Sequence, residues 1–128
     1  MKFPDDRRYT REHEWIKLEG DGSTAVVGIT DFAQGELGDV IFVELSKVGT
    51  AVESDGAFGT VEAVKTVSDL FMPVAGRIVA INEALEATPE VVNESPYDEG
   101  WMIKIHVDDP ATIESLMTSA EYAEMVGG

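Results

Sequence analysis

The 128 residues contain no cysteine. Disulfides and cysteine-based metal sites are therefore excluded, and any dithiol chemistry has to be brought by a cofactor. Positive charge is scarce as well: 9 lysines and arginines stand against 25 aspartates and glutamates, a formal net charge of −16. Such a chain repels a phosphate backbone and offers no basic patch for counterion release, which argues against nucleic acid as a partner. The charge serves solubility, and it also suits docking to basic protein surfaces. Long apolar runs are missing too. No stretch approaches bilayer-spanning length, and the start, Met1-Lys2-Phe3-Pro4-Asp5-Asp6, lacks the apolar core of a signal peptide. The expectation is a soluble, intracellular protein with no membrane partner, folded as one domain over residues 1–128.

What the sequence does contain is a succession of short strands. His13, Trp15 and Lys17 alternate with Glu14, Ile16 and Leu18, and Gly20-Asp21-Gly22-Ser23 supplies turn chemistry before a second strand from Thr24 to Ile29. Thr30 or Asp31 can cap a two-turn helix through Leu37, with Gly38 suited to a left-handed stop. Further strands are expected over Val40 to Leu45, from near Ala57, over Arg77 to Ile81, and over Trp101 to Val107. The stretch from Asn82 to Gly100, with Pro89 and Pro96, reads as less regular. In the tail, about 110–126, Asp109 can cap a helix that has Pro110 in its first turn. Thr118 and Glu121 have capping-box spacing for a second helix. Many strands with turns every eight to twelve residues point to a sandwich or barrel.

One lysine stands alone. Lys65 is the only basic residue between Lys47 and Arg77. Before it Phe58, Thr60 and Glu62 alternate with Gly59, Val61 and Ala63; after it Ser68, Leu70 and Met72 alternate with Val67, Asp69 and Phe71. Both flanks are strands, and Lys65 is either the tip of a hairpin or a solvent-facing residue of one long strand. Ala63-Val64-Lys65-Thr66 has none of the glycine, asparagine or aspartate that tight hairpins prefer. A single strand from Phe58 to Met72 would, however, be far longer than the usual five or six residues. Length therefore predicts a reversal at or next to Lys65, in a hairpin of about 58–72.

Val61-Glu62-Ala63-Val64-Lys65, Ser68-Asp69 and Pro73-Val74-Ala75-Gly76 resemble the lipoyl-lysine hairpin of the glycine cleavage system H protein, within the biotinyl/lipoyl superfamily. Other family-like segments are His13-Glu14-Trp15-Ile16, Gly28-Ile29-Thr30-Asp31, Leu37-Gly38-Asp39, Val43-Glu44-Leu45, Pro96-Tyr97 and Gly100-Trp101. They run in the family's order over most of the chain. The resemblance implies a mainly β barrel-sandwich hybrid. Two antiparallel sheets from quasi-equivalent halves carry short flanking and C-terminal helices, and Ala57 to Ala63 against Trp101 to His106 is a faint echo of that duplication.

The same resemblance implies a lipoyl carrier of the glycine cleavage system, with lipoate covalently attached to Lys65 by a lipoate ligase or lipoyl transferase. Glu62, Ala63, Val64 and Thr66 are then the recognition residues around the lysine. A pyridoxal-phosphate glycine decarboxylase loads an aminomethyl group, a tetrahydrofolate-dependent aminomethyltransferase takes the methylene, and a dihydrolipoyl dehydrogenase using FAD and NAD reoxidises the arm. The carrier itself catalyses none of these steps. The loaded arm is expected to dock near Glu14 and Asp69, with Glu12 standing where the family often has a small hydroxyl residue. A carboxylate there would hold the aminomethyl cation; the alternative for each is a solvated surface charge. Eukaryotic members of the family work in mitochondria, and the acidic start is unlike a transit peptide, which favours a bacterial cytoplasm.

Four other readings stand beside this one. Biotin carriers flank their lysine with methionines, where Val64 and Thr66 stand here, and 2-oxoacid dehydrogenase lipoyl domains usually place aspartate before it. A lipoyl relay protein would share every feature. An enzyme using Glu12 and Glu14 as an acid/base pair on one strand face is the rival from another class. His13 and His106 lack partners at metal-ligand spacing and read as packing or surface residues, so no metal is expected. Gly28, Gly35 and Gly38 form no phosphate-binding pattern, and Trp15 and Trp101 read as packing residues.

Overall fold

The computed structural model describes residues 2–127. Among these residues nine strands form two antiparallel sheets. In chain order they are β1 (Arg8–Tyr9), β2 (Glu14–Leu18), β3 (Thr24–Ile29), β4 (Val40–Leu45), β5 (Ala51–Val52), β6 (Ala57–Ala63), β7 (Val67–Phe71), β8 (Gly76–Ile81) and β9 (Ile103–Val107). Six of them make one sheet in the order β1-β2-β3-β9-β8-β5, and the other three make β4-β6-β7. Neither sheet closes into a barrel. The helices are α1 (Asp31–Leu37), α2 (Ala84–Ala87), α3 (Val91–Glu94), a 3-10 helix at Pro110–Ser115, and α4 (Ser119–Val126). Among the described residues no helix is long and apolar enough to cross a membrane.

The period-two pattern of the strands builds the main core between the two sheets. Ile16, Val27, Ile78, Ile103 and Ile105 from the larger sheet meet Val43, Phe58, Val61 and Leu70 from the smaller. Removing each such side chain from water stabilises the fold by about 1.5–3 kcal/mol. A second cluster covers the other face of the larger sheet, where Tyr9 and Tyr122 stack with ring centroids 4.9 Å apart beside Trp15. The Trp15 indole N–H donates to the Pro96 carbonyl at 3.0 Å, which satisfies its polar edge inside this cluster. Both faces of β2 are therefore covered, with Glu14 and Ile16 on the inter-sheet side and Trp15 on the other.

Local chemistry sets the element ends. Thr30 caps α1 by accepting from the Ala33 N–H, and Gly38 ends it at φ 80° with its N–H on the Gln34 carbonyl. Pro110 starts the tail as expected, with Asp109 accepting from the Ala111 N–H, but the turn is 3-10 rather than α. The Thr118/Glu121 capping box is complete and starts α4. Phe58 departs from the expected alternation. A bulge between Ala57 and Gly59, opposite β7, turns Phe58 into the core, although plain alternation groups it with the outward Thr60 and Glu62. The segment from Asn82 to Gly100 holds α2 and α3, four residues each, and the polar lead contributes β1.

Candidate functional site

The reversal at Lys65 is real. Strand β6 ends at Ala63 and β7 begins at Val67, with Glu62 paired to Val67 across the hairpin. The Ala63 N–H donates to the Thr66 carbonyl at 2.8 Å, leaving Val64 and Lys65 as the tip. A second brace comes from outside the hairpin, where the Val64 N–H donates to the Asp39 carbonyl at 3.0 Å. Gly38, just before it, lies against the lysine stem: a methyl group on Gly38 would sit 3.8 Å from Cδ and 3.9 Å from Cε of Lys65. Lys65 is exposed, and its ammonium enters none of the ion pairs among the described residues.

The brace is itself held by a residue that the sequence pattern does not single out. Asn93, in α3, accepts from the Val40 N–H at 2.8 Å and donates to the Gly38 carbonyl at 2.9 Å and to Gln34 Oε1 at 3.0 Å. One amide side chain thus fixes the loop that carries Gly38 and Asp39, and that loop holds the lysine turn. No local periodicity signals such a role.

Of the residues expected around the lysine, Glu62, Val64 and Thr66 are exposed. Ala63 points into the core and is 5% exposed, so what it offers is small size beneath the turn rather than a side-chain contact.

Glu14 is buried, at 2% exposure, on the inter-sheet side of β2. Its Oε1 accepts from the Thr10 hydroxyl at 3.0 Å, and its Oε2 accepts from the Phe71 N–H at 3.3 Å. Phe71 is the last residue of β7, so this carboxyl joins the larger sheet to the outgoing strand of the lysine hairpin. Burial pushes Glu14 from an ordinary value of 4.5 up to about 8, against the two hydrogen bonds, which favour the charged form. A solvated surface charge is thus ruled out for Glu14. No ion pair among the described residues involves it, and at pH 7 the raised pKa favours the neutral acid.

Asp69 lies on the exposed run of β7, two residues before Phe71. At about 3.3 Å per residue it stands about 13 Å along the chain from Lys65, and Phe71 about 20 Å. Glu12 lies in the turn before β2 and lines an open cavity of about 530 Å³ with Tyr9, Arg11, Asp55, Phe71 and Met117. The structure therefore brings Glu12 and the Phe71 end of β7 to one cavity, with Glu14 bonded to the Phe71 backbone, while Asp69 is not part of that cavity's wall. Glu12 and Glu14 do not share a strand face. His13 between them has a φ of 71°, which breaks the alternation and leaves Glu12 outside β2, so the geometry expected for the acid/base pair is absent. His13 instead meets the Tyr122 hydroxyl through Nδ1 at 2.8 Å, and burial lowers its pKa. Among the described residues no group of three or more potential ligands could hold a metal ion.

This arrangement has known counterparts. The family model described as glycine cleavage H-protein matches residues 7–127. The chain belongs to that family. It is 60% identical to the glycine cleavage system H protein of Chlorobium limicola over 127 residues, 99% of each chain. It is 54% identical to that of Bacillus cereus over 125 residues, 98% of this chain and 97% of the relative. Its fold is similar to the crystal structure of a glycine cleavage system H protein from Mycobacterium marinum, with a TM-score of 0.89 at 38% identity, covering 98% of this chain and 99% of that one. The family is thereby separated from the biotin-carrier and 2-oxoacid dehydrogenase alternatives.

Proposed function

We propose that this chain, as one carrier domain over residues 1–128, bears lipoate on Lys65 and serves as the mobile-arm carrier of the glycine cleavage system. The observation that carries this reading is the two-residue tip at Lys65, exposed, braced by two backbone hydrogen bonds, with an ammonium that enters no ion pair among the described residues. A modifying enzyme needs an unpaired lysine amine on a protrusion narrow enough to enter its active site. In the coupling step the ammonium gives up one proton to become a nucleophilic amine, an amide bond forms between Nζ and the acyl carbon of an activated donor, and the donor's leaving group departs as the nitrogen gives up a second proton. The chain's formal charge passes from −16 to −17.

When bound, the lipoyl group supplies the disulfide and dithiol pair that a cysteine-free chain lacks. The chain's own residues do the rest. The Ala63–Thr66 and Val64–Asp39 hydrogen bonds fix the anchor, so that an arm on it samples partner sites at high effective concentration. Glu14, Asp69 and Glu12 are the carboxyls proposed to receive the aminomethyl cation of a loaded arm. Glu14 would ionise as the cation arrives, because a carboxylate that gains a close ammonium is stabilised in its charged form. The partners in this reading are the pyridoxal-phosphate glycine decarboxylase, the tetrahydrofolate-dependent aminomethyltransferase and the dihydrolipoyl dehydrogenase, in a bacterial cytoplasm. Non-catalytic status follows from the same role.

The test is intact mass after incubation with lipoate, ATP and a lipoate ligase, alongside Lys65→Ala and a biotin ligase control. A lipoyl adduct on the unsubstituted chain alone is expected. An adduct that survives Lys65→Ala, or a biotin adduct, would overturn the assignment.

A further inference from the structure

The outer face of the smaller sheet carries an arrangement that holding the lysine does not require. Strand pairing sets Phe42, Glu62 and Val67 side by side across the three strands, with Glu44, Thr60 and Asp69 in a parallel row behind them. A register shift between Val40 and Phe42 leaves Ile41 exposed as well. Ile41 is 51% exposed, Phe42 50%, Val64 68% and Val67 62%, so four of the eight exposed large apolar side chains among the described residues surround the lysine tip. With strands about 4.8 Å apart, the front row spans roughly 10 Å. Beta-branched and aromatic residues on a solvated sheet face cost solubility unless something covers them. The three strands contain no lysine or arginine, while Glu44, Glu62 and Asp69 all lie exposed on this face.

We infer that the apolar strip Ile41, Phe42, Val64 and Val67, backed by Glu44, Glu62 and Asp69, is the docking surface for the acyltransferase that modifies Lys65. The partner is thereby specified in chemistry: an apolar groove rimmed by lysine or arginine. This rests on the lipoyl-lysine reading and deepens it. Enzymes that work on the far end of an attached arm can act at a distance from the hairpin. The enzyme that forms the amide has to bring its acyl carbon to bonding distance of Nζ, so it encloses the tip and covers the rows immediately behind it. The strip is continuous with that tip, and its acidic second row would steer a basic rim into register. Recognition then extends beyond the turn residues Glu62, Val64 and Thr66 to β4, which is twenty residues earlier in the chain.

The experiment measures initial rates of lipoyl transfer to the full-length apo chain by intact mass. The variants are Phe42→Thr with Val67→Thr, Phe42→Leu, Glu44→Lys with Glu62→Lys, and Val79→Thr. Val79 is an exposed residue of β8 on the other sheet, distant from this strip in the pairing order. The threonine pair is expected to lower kcat/KM at least about tenfold, chiefly through KM, with an unchanged melting temperature, because both side chains are already half in water. Phe42→Leu retains most of the rate, the lysine pair loses rate and recovers part of it as salt screens the repulsion from a basic rim, and Val79→Thr behaves as the unsubstituted chain. Transfer to the threonine pair within twofold of the unsubstituted rate would overturn this inference alone. So would a Val79→Thr loss of equal size. A concentration-dependent dimer that the threonine pair abolishes without slowing transfer would assign the strip to a second copy instead. Absence of any adduct on the unsubstituted chain would remove the lipoyl-lysine reading, and this inference with it.

Discussion

Replacing Glu14 by glutamine is expected to stabilise the protein in neutral and alkaline solution, by an amount that grows with pH. The carboxyl is 2% exposed, and among the described residues its hydrogen-bond partners are the Thr10 hydroxyl and the Phe71 N–H. Burial raises its pKa from 4.5 to about 8. An unfolded chain gives up this proton near the ordinary value, so between the two the native state holds one proton more than the unfolded state. A raised pKa of this kind contributes stability that is complete below about 4.5 and is lost as pH climbs through about 8. The loss runs at about 1.4 kcal/mol per pH unit, a ceiling of about 5 kcal/mol over the whole interval. Structural relaxation and water entry lower the realised figure, and about 2–3 kcal/mol is the working expectation.

Glutamine keeps the shape, an acceptor for the Phe71 N–H and a donor for Thr10, and it does not titrate. Urea denaturation of both proteins at pH 5, 6, 7, 8 and 9 gives a difference curve in which the other carboxylates cancel. That difference is expected to rise with pH in favour of Glu14→Gln and to level off above pH 8. A carbon-13 carboxyl titration of Glu14 supplies the same pKa without unfolding. A difference curve flat from pH 5 to 9 would refute the reasoning, because Glu14 would then be titrating like an exposed carboxylate.

Gly59→Ala would set a methyl group against the Glu44 carbonyl oxygen inside the β4–β6 ladder, and a loss of more than about 3 kcal/mol, or failure to fold, is expected by chemical denaturation. Tyr122→Phe removes a hydroxyl that meets both His13 Nδ1 and Thr30 Oγ1 at 2.8 Å, and is expected to cost about 1–3 kcal/mol in the same assay. Asn93→Ala strands the Val40 N–H and the Gly38 carbonyl, and is expected to cost a similar amount. It should also speed hydrogen exchange at the Val64 amide; exchange there no faster than at Val26 would show that the Gly38–Asp39 loop holds itself.

How far the fold could be read from residues depended on how local the cause was. The β2–β3 hairpin followed from Gly20-Asp21-Gly22-Ser23, and the start of α4 from Thr118 and Glu121, because each signal lies within four residues of its effect. The Lys65 reversal came from strand length alone, since its turn residues carry no preference for a tight bend. Strands β1 and β5, two residues each, and helices α2 and α3, four each, are too short to show a period. Phe58 shows the limit of alternation: a bulge adds a residue without marking the sequence, and every side chain beyond it changes face. Glu14 was half legible. Its spacing from Ile16 assigns the inter-sheet face, but covering it completely takes Phe71, fifty-seven residues later. Asn93 was not legible at all, because its partners lie 53 to 59 residues back.

These long-range contacts explain why the lysine sits on a hairpin that is tied down at both ends. The incoming side is fastened at Val64 to a loop that Asn93 fixes, and the outgoing strand is fastened at Phe71 to Glu14 in the opposite sheet. Strand β7 is an edge of its own sheet, with β6 as its only ladder partner, and an edge strand held only by such a ladder frays readily. At the end far from the lysine, Met72 exchanges backbone hydrogen bonds with Asp55 and Gly56, and the Glu14 carboxyl adds a contact from the opposite sheet at Phe71. Its protonation state bears on that contact through two opposed effects, since the bond from the Phe71 N–H favours the charged carboxyl while burial favours the neutral acid. A cation beside that carboxyl would offset the burial cost and strengthen its bond to the Phe71 N–H.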